Sequence, residues 1–142
     1  MTGTERRLLD IANVLVGGTG LVYAAMKYLM DPRDEWAVVN HPWQPHVQHI
    51  HVVVTPFLIF LVGLLWKDHV SEKLRNNGSR GRATGLSLAF QLLPMVLSGY
   101  LVQISVSESW RTVWIWIHII TGALWCLSVV AHRLRRTNGP SG

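Results

Sequence analysis

Apolar residues gather into four blocks along the chain, Ile11–Met30, Val47–Trp66, Leu86–Val102 and Trp110–Val130, separated by polar, charged or proline-bearing stretches. Each block approaches the roughly 17 to 25 residues that a helix needs to cross about 30 Å of hydrocarbon. The pattern predicts an all-α integral membrane protein, a four-transmembrane-helix bundle in one domain over residues 1–142. Its spans are expected at about 8–30, 45–67, 84–103 and 109–132, with an outer loop at 31–44 and an inner loop at 68–83. Thr4–Asp10 reads as an amphipathic lead into the first span. Pro56 is expected to kink the second.

Charge changes the picture by its placement. Lys and Arg outnumber Asp and Glu 13 to 8, a balance that invites a nucleic-acid reading. Yet Arg6, Arg7, Lys67, Lys73, Arg75, Arg80, Arg82, Arg133, Arg135 and Arg136 all precede the first block, follow the fourth, or lie between the second and third. By the positive-inside rule both termini and the Trp66–Ala83 loop face the cytoplasm. The basic excess therefore sets topology and meets anionic lipid heads, and no nucleic-acid partner is implied. Trp66, Trp110, Trp114 and Trp116 sit near block ends, as an interfacial aromatic belt requires.

The first block is long, holds Asn13 and Lys27, and shows no small-residue cleavage site, so the N-terminus is expected to stay attached. The single cysteine, Cys126, excludes an intrachain disulfide and covalent haem attachment through a C-x-x-C-H motif.

Histidines carry the candidate chemistry. His118 and His132 are 14 residues apart, about 1400° of helical turn and about 21 Å of rise, so they leave one face near opposite membrane edges. His51 and His69, 18 apart, turn through about five full turns and rise about 27 Å. Neutral imidazole binds haem iron axially, and a bis-histidine pair fills both axial sites and favours electron transfer over oxygen chemistry. The topology pairs His51 with His118 on the outer side and His69 with His132 on the inner side. His49 and His46 compete with His51 near the same helix end, but His49 lies about 200° from His69 on a regular helix, so His51 is preferred over it. Each histidine has a bland alternative: His118 as a hydrogen-bonded core residue, His69 and His132 as solvated helix ends.

Supporting residues are less specific. Arg111 and Gln103 on the outer side, and Lys67, Arg80, Arg82 and Arg133 on the inner, are candidates to meet haem propionates. The run Val16-Gly17-Gly18-Thr19-Gly20 reads equally as helix packing or as a haem face. Helix three has a small pair, Ser98-Gly99, but no histidine, and is expected to pack beside the others. No internal repeat is evident, because the residues flanking the two histidine pairs do not match.

Four spans with His118-x13-His132 on the last and partners on the second resemble the four-helix haem-binding unit of membrane b-type cytochromes. That group includes bacterial cytochrome b561-like proteins, the cytochrome b subunits of hydrogenases and formate dehydrogenases, and quinol-oxidising cytochrome b. The hydrogenase type draws a ligand from its first helix, which here has no histidine, so the resemblance favours two ligands from each of helices two and four.

The resemblance implies two non-covalent b-type haems, a quinone as a further ligand, and a multi-pass protein of the bacterial inner membrane. It would pass electrons between the quinone pool and a periplasmic or membrane redox protein. The outer segment Trp36–His46 is the expected docking surface. Two alternatives stay open: a cofactor-free membrane subunit that anchors a larger complex, with histidines as polar glue, and a metal-ion site or transporter built on His41, His46, His49 and His51.

Overall fold

A computed structural model describes residues 2–66, 71 and 82–137. Among them lie four α-helices: α1 (Gly3–Tyr28), α2 (Gln44–Leu65), α3 (Arg82–Ile104) and α4 (Glu108–Thr137). All four are long and apolar enough to cross a membrane. The chain is an all-helical protein of transmembrane character, with apolar helices suited to contact lipid. His69, and most of the expected inner loop, lie outside the described residues.

Local sequence explains where the helices begin and end. The first starts at Gly3 rather than near residue 8 because Thr2 and Glu5 form a capping box: Glu5 N–H donates to Thr2 Oγ1 at 3.2 Å, and Thr2 N–H to the Glu5 carboxylate at 2.7 Å. At its other end Leu29 N–H bonds to Ala25 O, and the Asn40 amide donates to Lys27 O at 2.8 Å. Those bonds tie the outer segment to the end of α1. Pro45 lies in the first turn of α2, where its missing N–H has no helical partner to lose. Helix α2 runs unbroken through Pro56, and α3 through Pro94.

Polar side chains inside the spans mostly close on their own helix. Asn13 donates to Leu9 O, Thr55 to His51 O and Thr121 to Ile117 O, which keeps each polar group satisfied without water.

The chain divides into two compact units, Met1–Lys67 and Asp68–Gly142. In the first, α1 and α2 form an antiparallel hairpin whose seam holds Ala12, Val16, Leu58 and Leu61, with Leu9, Val54 and Val62 around them. Ala12 is 1% exposed and Leu58 2%, a small residue opposite a large one. In the second, α3 and α4 pack with Met95, Ser98 and Trp125 buried. Large apolar side chains such as Val14, Val53, Phe90 and Leu127 point outward on all four helices. In water that surface would be a defect; against acyl chains it is the expected exterior.

Candidate functional site

Each described histidine of the expected ligand set turns into the seam of its own hairpin. His51 on α2 reaches α1: its Nδ1 lies 3.1 Å from Val16 O and 3.1 Å from Thr19 Oγ1. The ring rests on Gly20, where an added Cβ would lie 3.0 Å from Cε1. His118 on α4 reaches α3 in the same way. Its Nδ1 lies 3.0 Å from Met95 O and 3.3 Å from Ser98 Oγ, and a Cβ at Gly99 would lie 3.0 Å from its Cε1.

These two seats share one pattern on unrelated surroundings: a carbonyl, then a hydroxyl three residues on, then glycine. Residues i and i+3 lie on one helix face, so a single ring nitrogen meets both oxygens, and the glycine lets the imidazole approach the backbone. His132 repeats part of the pattern nearer the end of α4. Its Nδ1 lies 2.9 Å from Thr84 Oγ1, and Gly85 follows, with a Cβ there 3.9 Å from Cε1. His51, His118 and His132 are all half-buried.

Neither Thr84-Gly85 nor the role of Thr19-Gly20 and Ser98-Gly99 was visible from the histidines' own flanks. A signal exists all the same: Thr84-Gly85 and Ser98-Gly99 are 14 residues apart on α3, matching His118 and His132 on α4. The recurrence lies in the helix that faces each histidine, where a comparison of flanking residues does not look.

Other residues singled out in the sequence occupy different places. His49 and His46 are exposed, and His46 packs edge-on to Trp43 with ring centroids 5.7 Å apart. His41 Nδ1 accepts from Trp43 N–H at 3.2 Å in a turn. Among the described residues no three or more His, Cys, Asp or Glu side chains gather as a metal-ion group. Arg111 donates through its guanidinium to Ser105 O at 2.9 and 3.2 Å, and Gln103 to Gly99 O at 3.3 Å, so both serve local backbone. Arg133 is exposed near the end of α4. Lys67, Arg80 and the Arg82 side chain lie outside what is described. In the outer segment Trp36 is 90% and Val38 97% exposed.

Comparison with protein-family models, with characterised proteins and with solved structures finds no match. The functional reading therefore rests on the seats themselves.

Proposed function

We propose that this chain is a dihaem b-type cytochrome of the bacterial inner membrane, passing electrons between the quinone pool and a redox partner protein. What carries the reading is the recurrence of an oriented imidazole inside the spans: three histidines, each fixed through Nδ1 on a hydroxyl–glycine pair of the neighbouring helix. Ionisable side chains are costly in a membrane and mark function by default. A ligand histidine needs this kind of outer support, because the bond made by one ring nitrogen sets the direction and basicity of the other.

Imidazole is a donor that suits the group. His51 and His118 would hold an outer haem, and His69 and His132 an inner one; the pairing follows from the membrane sides that the loop charges assign. Bound haem would supply a one-electron carrier with both axial positions filled. The chain's own part is to hold four imidazoles at two depths, keep water from the spans, and expose an outer segment with Trp36 and Val38 to a redox protein.

The Nδ1 bonds also suit a cofactor-free anchor, in which histidines join helices as polar glue. Pyridine-haemochrome assay of protein purified from haem-replete cells separates the two. The expected result is two haems per chain, falling to one in His51→Ala, His118→Ala, His69→Ala and His132→Ala. Wild-type protein without haem, or two haems surviving all four substitutions, would sink the proposal. Stoichiometric zinc or copper without iron would point to a metal-ion site instead.

A further inference from the structure

We infer that Thr19 and Ser98 are positioning residues which, with the Val16 and Met95 carbonyls, lock His51 and His118 in the Nδ1–H tautomer and make Nε2 the iron-binding atom. The inference rests on the haem reading and specifies how its outer site is tuned.

Proton accounting carries it. A carbonyl oxygen only accepts, so the 3.1 Å contact of His51 Nδ1 with Val16 O and the 3.0 Å contact of His118 Nδ1 with Met95 O require Nδ1 to donate. A hydroxyl could do either. Thr19, however, donates its one proton to Leu15 O at 2.6 Å, and Ser98 donates to Met95 O at 3.0 Å. Each oxygen therefore meets the imidazole as an acceptor, and both contacts at each ring demand the same tautomer. In a neutral imidazole protonated at Nδ1 the lone pair is on Nε2.

The two seats reach this result with different residues, Val16 and Thr19 in one hairpin, Met95 and Ser98 in the other. Both share the carbonyl, the hydroxyl and the glycine behind it, and of these only the carbonyl and the hydroxyl contact Nδ1, so they are the elements that can set its proton. Two acceptors on one N–H also push electron density into the ring. A more basic imidazole stabilises ferric over ferrous iron, so the hydroxyls lower the outer potential as well as orient the ligand.

Redox titration of the haem-loaded protein tests this with Ser98→Ala, Thr19→Val and the conservative Ser98→Thr and Thr19→Ser. Haem content is measured beside the potential in all four. In the first two the ferric preference of the outer haem should fall roughly three- to tenfold, a rise of about 28 to 59 mV at 59 mV per tenfold change. The conservative variants should return it toward wild type. Unmoved potentials with haem retained, or an equal shift in the conservative variants, would overturn the inference. Should the variants lose haem, 15N-histidine spectra of the wild type decide: protons on Nδ1 of His51 and His118 are expected, and protonated Nε2 on either overturns it. Protein that never binds haem ends the parent reading and with it the role of Nε2 as iron ligand, while the same spectra of the haem-free protein still report the tautomer, so the two failures stay distinguishable.

Discussion

A single methyl group probes the seats. At Gly20 an alanine Cβ would stand 3.0 Å from His51 Cε1 and 3.4 Å from its Nδ1; at Gly99 the distances to His118 are 3.0 and 3.3 Å. Each ring would have to move by a few tenths of an ångström, lengthening Nδ1 bonds that already measure 3.0 to 3.3 Å. Overpacking of that kind costs about 1 to 3 kcal/mol. Gly85 differs, because a Cβ there meets His132 at an ordinary 3.9 Å, and alanine is the better helix former by about 1 kcal/mol. Gly20→Ala and Gly99→Ala should therefore lower haem content and thermal stability, while Gly85→Ala leaves both unchanged or improved. The same response from all three would remove close approach as the reason for these glycines. Helical spacing singled out His51, His118 and His132 in the sequence, and the structure turns all three into hairpin seams. What faces them was not legible, because contacts between neighbouring helices depend on hairpin register, and register is set by the packing of residues such as Ala12 against Leu58.

Helices and their order were the most legible feature, since an unbroken apolar run of membrane-spanning length admits little else. Their ends were less so: a capping box moves the start of α1 to Gly3, and α4 continues through its basic end to Thr137. Within the α3–α4 seam one polar group remains at odds with its setting. Gln91, seven residues from both Thr84 and Ser98, donates to Ser128 Oγ at 3.1 Å and to Ser87, yet its Oε1 is buried with no partner. An orphaned acceptor costs about 1 to 3 kcal/mol. The bond across the seam returns about 0.6 kcal/mol on average, and at most about 1.7. Ser87 and Ser128 can each turn back onto a carbonyl of their own helix, as Thr121 does. Gln91→Leu is therefore expected to stabilise the protein by about 1 kcal/mol, seen as a higher midpoint in denaturant or heat. A lower midpoint would mean that the amide earns more from Ser128 than the orphaned oxygen costs.

At the scale of the molecule, the proposal needs each histidine on a definite side of the membrane. The order of the helices supplies part of this. In the first hairpin His51 lies near the outer-segment end of α2, and in the second His118 lies near the short turn that joins α3 to α4. Both would be on the side opposite the termini, and His132, 14 residues further along α4, would be near the terminal side. Which side is the cytoplasm rests on the basic residues of the ends and of the loop before α3. Since Cys126 is the only cysteine, Cys126→Ser provides a clean background for labelling. Val38→Cys, at a position 97% exposed in the outer segment, should react with a membrane-impermeant maleimide in intact spheroplasts. Ser79→Cys, between the second and third spans, should react only after the membrane is opened. The reverse pattern would put His51 and His118 at the cytoplasmic edge, moving the proposed outer haem away from any periplasmic partner. Labelling of both positions in intact spheroplasts would be worse for the model, because α2 could then no longer cross the membrane and carry histidines to two depths.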